Sequence, residues 1–201
     1  MELVLALTTY KIFISYNGQG FEGWQIQPAP KKTIQGELNK ALSKITKSSH
    51  IKTMGSGRTD SGVHALEQVV KVEMPLSIDT DGLKNALNSH LTRKIRVLAC
   101  ELCDESFHVV KDAKSKCYRY LMYEGDELPP FLEGKATLVR PSLDWEAVEV
   151  AMKEFVGVHD FINFSTKGTP VLTTTREILS AELFYKDIDP LGDLSLSGDN
   201  L

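Results

Sequence analysis

The spacing of apolar residues in the first half of the chain constrains its fold more than any other feature. Residues 10–16 are rich in β-branched and aromatic types and end at an Asn-Gly pair, which is typical of a strand followed by a turn. From Thr33, a suitable N-cap, apolar residues recur at three- and four-residue intervals over 34–45 and indicate a helix. Residues 70–74 alternate apolar and charged types, which predicts a half-buried strand. Strands and helices therefore occur together in this half.

The other segments continue the same order of elements. They predict a strand through Met54, a helix over Thr80–Ser89, strands over Ile95–Leu102 and Lys116–Tyr123, a helix from the cap Asp144 to Phe155, and strands over Thr174–Tyr185 and Leu194–Ser197. Pro129 and Pro130, with several acidic neighbours, indicate a linker. We therefore predict an α+β protein with helices packed on a mixed, largely antiparallel sheet, divided into residues 1–123 and 124–201.

Charge is distributed unevenly between these two halves. The net charge is −4, yet residues 1–123 carry 17 Lys and Arg against 12 Asp and Glu, whereas residues 124–201 carry 6 against 15. A basic surface is what phosphate binding requires, so the first half is the candidate face for nucleic acid. The lysines could equally form ordinary solvated faces, because charge alone does not separate the two cases.

Size and cysteine content indicate a folded protein from a reducing compartment. The chain has 201 residues and is 42% hydrophobic, enough for a full core. The apolar run over residues 3–7 is too short to span a bilayer and is not followed by a cleavage pattern, so we expect no export. Three cysteines do not suggest a secreted disulfide framework, and we expect the protein in the cytoplasm.

The segment Gly57–Ala65, Gly-Arg-Thr-Asp-Ser-Gly-Val-His-Ala, is the strongest candidate for chemistry. It places the Asp60 carboxylate between glycines, two residues from the Arg58 guanidinium, as expected for an exposed nucleophile on an open loop. Arg58 could also reach a phosphate. Taken alone, the same pattern fits an Asp that closes an Asx turn between two strands, so the loop by itself leaves both interpretations open.

Further motifs along the chain help to distinguish between these two interpretations of the loop. They are Tyr16-Asn17-Gly18 with Phe21, Gly23-Trp24-Gln25 and Gln27, then Thr33-Ile34-Gln35-Gly36 with Leu38, Phe107-His108, Tyr118-Arg119-Tyr120, and Gly157 with His159-Asp160-Phe161. In order and spacing, these motifs and the Asp60 segment resemble the TruA-type tRNA pseudouridine synthases. The resemblance covers essentially all of the chain from Tyr10 onward.

This resemblance implies a fold, a reaction and a set of site residues. The fold is that of the pseudouridine synthases, with two similar halves around a cleft, and the reaction is the isomerisation of uridine to pseudouridine in the tRNA anticodon stem-loop, by a homodimer without cofactor or metal. Asp60 is implied as the catalytic carboxylate and Tyr118 as the ring that stacks on the flipped-out uracil. Arg58 is expected to contact RNA near the vacated base. The basic residues expected to bind RNA are Lys111, Lys114, Lys116 and Arg119.

Several other residues have simpler interpretations. Phe21 and Trp24 are expected in the core, and His64 and His159 are expected to be structural, because no acidic partner lies at catalytic spacing. The pattern Cys100-x2-Cys103-x4-His108-x8-Cys117 resembles a zinc knuckle and would also suggest RNA binding. Its last gap is twice that of a knuckle, which disfavours a metal.

The chain also departs from the family pattern at three places. Asn17 replaces the usual Asp, and Val109-Val110 stand where Ala-Arg is common. The sequence ends at residue 201, where the resemblance predicts a helix whose Met-Val-Arg segment pairs an arginine with the catalytic Asp. We therefore expect a chain that folds, is weakly active or inactive on tRNA, and self-associates through an exposed strand near Leu194–Ser197. The alternative function is an inactive RNA-binding module that retains the synthase cleft.

Overall fold

The computed structural model of the chain describes residues 7–28, 31–140, 143–165 and 173–186. These residues divide into two compact units, Met1–Leu121 with Leu132–Lys135 and Met122–Phe131 with Ala136–Leu201. We call them the first unit and the second unit. None of the helices in the described ranges is long and apolar enough to cross a membrane.

The described residues of the first unit form one antiparallel sheet and two helices. Its elements are β1 (Thr8–Tyr16), α1 (Ile34–Thr46), β2 (Lys52–Gly55), β3 (Ala65–Met74), α2 (Thr80–His90) and β4 (Ile95–Leu102). The strand order is β2-β3-β1-β4, and every neighbouring pair is antiparallel. The strands and helices predicted between residues 10 and 102 are confirmed to within a few residues, and so is the α+β class.

The core of the first unit lies between one face of the sheet and the two helices. Alternate residues of β1 point into it, so that Tyr10, Ile12 and Ile14 are fully buried while Lys11 and Phe13 face the other side. The amphipathic faces of α1 and α2 add Leu38 and Leu83, among others. Thr33 caps α1 as predicted, because its side chain accepts a hydrogen bond from the Gly36 N–H at 3.2 Å.

The second unit is built from shorter pieces. It contains β5 (Met122–Glu124), β6 (Thr137–Val139), α3 (Trp145–Lys153), β7 (Gly157–Asp160) and β8 (Thr175–Ile178), with a 3₁₀ turn over Ile162–Phe164. β5 and β6 form a parallel pair, and β7 and β8 form an antiparallel pair. A further 3₁₀ turn spans Pro130–Leu132. The capped helix from Asp144 is confirmed.

The predicted strand over Lys116–Tyr123 is wrong for most of its length. Only Met122–Glu124 forms a strand, and residues 116–121 have no regular structure. Alternating aromatic residues suit a strand, but a strand also needs a neighbour for its backbone hydrogen bonds, and this segment pairs with none of the described strands. The strand predicted over Thr174–Tyr185 is shortened to Thr175–Ile178, and the one over Leu194–Ser197 lies outside the described residues.

Candidate active site

The Asp60 loop, residues 56–64, connects β2 to β3 and presents its carboxylate to solvent. The Ser56 N–H donates to the Val69 carbonyl at 2.8 Å and fixes the start of the loop against the sheet. The Val63 N–H donates to the Asp60 carbonyl at 3.2 Å, which makes a tight turn around Asp60. Asp60 and Arg58 are both exposed, so the carboxylate and the guanidinium are accessible to a large substrate.

Backbone hydrogen bonds hold this loop on the turn that follows β1. The Trp24 N–H donates to the Thr59 carbonyl at 3.0 Å, and the Gly62 N–H donates to the Phe21 carbonyl at 3.2 Å. Trp24 and Phe21 are almost completely buried, as predicted. The residues on both sides of Asp60 are therefore tied to the core, although Asp60 itself is exposed.

Two glycines of that turn permit the close approach. Gly23 has φ +89°, and a Cβ there would lie 2.5 Å from the Thr59 carbonyl oxygen. A Cβ on Gly18 would lie 2.0 Å from the Val63 carbonyl oxygen. Any other residue at either position would push the loop away from the turn. The Asn-Gly and Gly-Trp motifs therefore serve the geometry of the Asp60 loop, although they lie about forty residues before it.

His64 ties the end of the loop to two other segments of the first unit. Its Nδ1 accepts a hydrogen bond from the Gly18 N–H at 3.2 Å, and its Nε2 lies 2.6 Å from the Gly134 carbonyl oxygen. An acceptor Nδ1 and a donor Nε2 define the neutral imidazole with its proton on Nε2. This arrangement agrees with the structural role expected for His64. His159 lies in the second unit, where its Nε2 contacts the Val156 carbonyl oxygen at 3.1 Å.

Lys116 is a basic residue that the structure brings to the loop from a distant part of the sequence. Its Nζ lies 3.1 Å from the position that a Cβ on Gly57 would occupy, so the ammonium group lies against the loop backbone. In contrast, Asp60 forms no ion pair within the described part of the chain. Sequence reasoning placed Lys116 only in the general RNA-binding set, because its residue type and spacing do not reveal contact with a loop sixty residues away.

The other predicted site residues lie on open surface. Tyr118 is 75% exposed, and Lys111, Lys114 and Arg119 are exposed as well. Tyr118 follows Lys116 by two residues in the chain. Of the two valines that depart from the family pattern, Val109 stands where Ala is common and is buried, whereas Val110 stands where Arg is common and is 49% exposed.

Tyr16 is a site residue that sequence reasoning missed. Its hydroxyl lies 2.9 Å from the Thr59 hydroxyl, directly beside Asp60 in the chain. The alternation of β1 predicts only that Tyr16 is buried, and no local signal reveals a partner forty-three residues away.

The cysteine and histidine pattern does not form a metal site in the described residues. Cys100 packs against the core of the first unit, and burial raises the pKa of its thiol to about 11. The Nδ1 of His108 accepts a hydrogen bond from the Lys111 N–H at 3.3 Å. The described residues include no group of three or more His, Cys, Asp or Glu side chains able to hold an ion. Phe107 and His108 instead line a pocket of about 140 Å³ beside Met54 on β2.

Comparison with known proteins identifies the chain's relatives. Residues 12–110 match the family model described as tRNA pseudouridine synthase, a range that contains β1 from Ile12, the turn after it and the whole Asp60 loop. The chain is 39% identical over 175 residues to tRNA pseudouridine synthase A of Lacticaseibacillus casei, with 87% of this chain and 70% of that protein covered. It is 35% identical over 193 residues to tRNA pseudouridine synthase A of Streptococcus pneumoniae, with 96% and 77% covered.

The chain belongs to the tRNA pseudouridine synthase family. The resemblance inferred from the motifs is therefore confirmed, and with it the isomerase class. In this tRNA pseudouridine synthase family member, the matched range includes Gly18 and Gly23, which allow the close approach of the Asp60 loop, and Tyr16, which contacts Thr59. Tyr118 and the basic residues from Lys111 onward lie beyond the matched range, within the region aligned with the two relatives.

Proposed function

We propose that this chain isomerises uridine to pseudouridine in the anticodon stem-loop of tRNA, with Asp60 as the catalytic carboxylate. The observation that supports the proposal most strongly is that Asp60 is exposed but held in a fixed position. Its carboxylate is exposed, while the residues on either side of it are hydrogen-bonded to the buried turn after β1. A nucleophile needs this combination of access and fixed position.

The reaction requires one bond to be exchanged for another within one nucleotide. The bond from C1′ to N1 of uracil breaks, a bond from C1′ to C5 forms, the proton on C5 is released, and N1 gains a proton. The Asp60 carboxylate can add to the sugar or the base, or can assist the loss of a ribose proton. The reacting atoms are stacked in the RNA, so the nucleotide must leave the stack and lie against a ring such as the exposed Tyr118.

Positive charge around the loop supports an RNA substrate. Arg58 and Lys116 lie on or against the loop, and the exposed Lys111, Lys114 and Arg119 extend the basic surface. Contacts of this kind to phosphates fix the register of an RNA without reading its sequence. The cytoplasmic location and the homodimer are part of the same proposal; they follow from the cysteine content and the resemblance, and light scattering of the purified chain measures the dimer.

The central test compares Asp60→Asn with Asp81→Asn. Both variants remove one exposed carboxylate, but Asp81 belongs to α2 and not to the loop. With a tRNA transcript carrying tritium at C5 of uridine, we expect D60N to lose tritium release by about a thousandfold or more at unchanged tRNA affinity. D81N should retain the wild-type rate. Robust release by D60N would contradict the role of Asp60.

Two further results test the target site in tRNA and the alternative function as an inactive RNA-binding module. A transcript whose anticodon stem-loop uridines are replaced by cytidine should release no tritium if that stem-loop is the target. A wild-type chain that binds tRNA but releases no tritium would instead be an RNA-binding module. The lack of an ion-pair partner for Asp60 among the described residues is the observation that favours this second function.

A further inference from the structure

Hydrogen bonds connect the Asp60 loop to two buried side chains, those of Tyr16 and Gln68. Tyr16, the last residue of β1, is 4% exposed, and its hydroxyl lies 2.9 Å from the Thr59 Oγ1 and 3.4 Å from the Gln68 Oε1. The Gln68 amide oxygen can only accept, so Tyr16 is the donor in the longer contact, whereas either hydroxyl can be the donor in the shorter one. The Tyr16 hydroxyl thus connects Gln68 to Thr59, the residue before Asp60.

Thr59 is held from a second side by Trp24. The Trp24 N–H donates to the Thr59 carbonyl at 3.0 Å, and the indole stacks on the Tyr16 ring with centroids 6.3 Å apart. The side-chain hydroxyl and the backbone carbonyl of Thr59 are thus both bonded to buried residues of the first unit. Burial raises the pKa of Tyr16, with a smaller opposing effect from the Thr59 hydrogen bond, so its hydroxyl remains a neutral donor.

Gln68 is the second hydrogen-bond partner of the Tyr16 hydroxyl. It is buried, and its Nε2 has no hydrogen-bond partner in the described part of the chain. An unsatisfied buried amide destabilises the folded state. Its oxygen nevertheless accepts a hydrogen bond from the Tyr16 hydroxyl at 3.4 Å, which gives this hydroxyl a second partner besides Thr59.

We propose that Tyr16 is a positioning residue that fixes Thr59, and through it the backbone from which Asp60 projects. The proposal rests on the proposed catalytic role of Asp60. Tyr16 itself is buried, so it acts through Thr59 and not as a catalytic residue. It holds the nucleophile at a fixed distance from the reacting atoms, and a displacement of about 1 Å can lower turnover by about a hundredfold.

The chain contains a matched control in Tyr10. Tyr10 is also a buried tyrosine of β1, but its hydroxyl donates to the Ile78 carbonyl at 2.7 Å and accepts from the Ile78 N–H at 2.7 Å. Tyr16→Phe and Tyr10→Phe each remove one hydrogen-bonded hydroxyl and keep the ring. Both variants should lower the melting temperature, whereas only Tyr16→Phe removes a bond to the Asp60 loop.

Steady-state kinetics on a tRNA transcript test the proposal. We expect Y16F to lower kcat about tenfold at unchanged KM, as expected for one missing hydrogen bond at a positioned nucleophile, and Y10F to stay within about twofold of wild type. Thr59→Val, which removes the other hydroxyl, should reproduce the loss. The double variant Y16F/T59V should then be no worse than either single variant. Equal losses in Y16F and Y10F, or a change confined to KM, would overturn the proposal.

Hydrogen exchange gives a readout that does not depend on turnover. In Y16F the amides of Trp24 and Gly62, which bond across the loop, should exchange faster, and in Y10F the amide of Ile78 should do so. If the Trp24 and Gly62 amides exchange at the same rate in Y16F as in wild type, the positioning role is overturned. D60N in the same assays keeps the two proposals apart: substantial turnover in D60N removes the catalytic role of Asp60, while the exchange comparison still decides whether Tyr16 holds the loop.

Discussion

The two units of this protein contain similar elements but differ in what those elements bury. The buried apolar residues of the described chain all lie in the first unit, where the sheet and two helices share one core. None of the described residues of the second unit is buried, and its rings at Phe155, Phe161 and Phe164 contact one another while Phe164 remains 74% exposed. Secondary structure is therefore present in both units, but among the described residues a core is present in one.

A comparison of α1 with α3 shows why local signals do not produce a core. Thr33 accepts a hydrogen bond from the Gly36 N–H, and Asp144 accepts one from the Ala147 N–H, so both helices have the same kind of cap. Both helices are also amphipathic. The apolar face of α1 lies against the sheet of the first unit, whereas α3 has no buried residue. Caps and periodicity determine where a helix forms, and packing then determines how much it stabilises the fold.

The largest expected effect is on stability, in Leu38→Ala on α1 against Val150→Ala on α3. Leu38 is fully buried, so L38A should lower the free energy of unfolding by about 2–5 kcal/mol. Val150 is 62% exposed, so V150A should change it by less than about 0.5 kcal/mol. Urea denaturation measures both variants. A large loss in V150A would mean that the face of α3 is covered, and the contrast between the units would fail.

The next effect is on tRNA binding and tests the difference in charge between the basic first half and the acidic second half of the chain. Neutralising Lys111, Lys114 and Lys116 together should weaken tRNA binding and flatten its salt dependence, because the log–log slope falls by roughly one unit for each phosphate that the protein no longer neutralises. The matched control is the triple change of Glu146, Glu149 and Glu154 to Gln in the second unit. Filter binding over a series of salt concentrations compares the two. If the control alone reduces binding, the RNA face has been assigned to the wrong half.

A smaller effect is expected at the helix caps. Thr33→Ala should lower the free energy of unfolding by about 1 kcal/mol, and Thr33→Ser should leave it nearly unchanged, because serine keeps the capping hydroxyl. Asp144→Ala should mainly speed amide exchange at Ala147, whose N–H donates to the Asp144 side chain. Denaturation and hydrogen exchange report these changes. A T33S variant as unstable as T33A would show that Thr33 acts through packing of its methyl group.

The last expected effect is a pH dependence from Cys100, whose thiol is only partly buried. Burial raises the pKa of this thiol from 9.0 to about 11, so the unfolded chain ionises first as the pH rises. The stability due to the neutral buried thiol is complete below pH 9 and is lost as the pH approaches 11. Urea denaturation at the two ends of this window should show a smaller decline in Cys100→Ala than in wild type. The exposed Cys117 provides the control, since Cys117→Ser should retain the full decline.

The sequence predicted the first unit well because its signals are local and agree with one another. β1, α1, α2 and β4 follow from alternation, helical spacing and caps, all of which act within a few residues. The strand expected over Lys116–Tyr123 failed for the opposite reason. Its alternation was correct for a strand, but pairing depends on a neighbour that alternation cannot reveal.

At the candidate site, too, local sequence signals identified some features, whereas others depend on residues far apart in the chain. The sequence by itself determined which residues are chemically able to act: a carboxylate at Asp60 beside Arg58, glycines around it, and a family pattern that the comparisons confirm. Only the tertiary structure decided what holds Asp60 in place. The Tyr16 hydroxyl, the Trp24 amide and the Lys116 ammonium reach the loop from thirty-five to fifty-nine residues away. Chain closure over such distances depends on the packed sheet, because hydrogen bonds between distant residues form only where burial of the core has already offset the entropy of bringing them together.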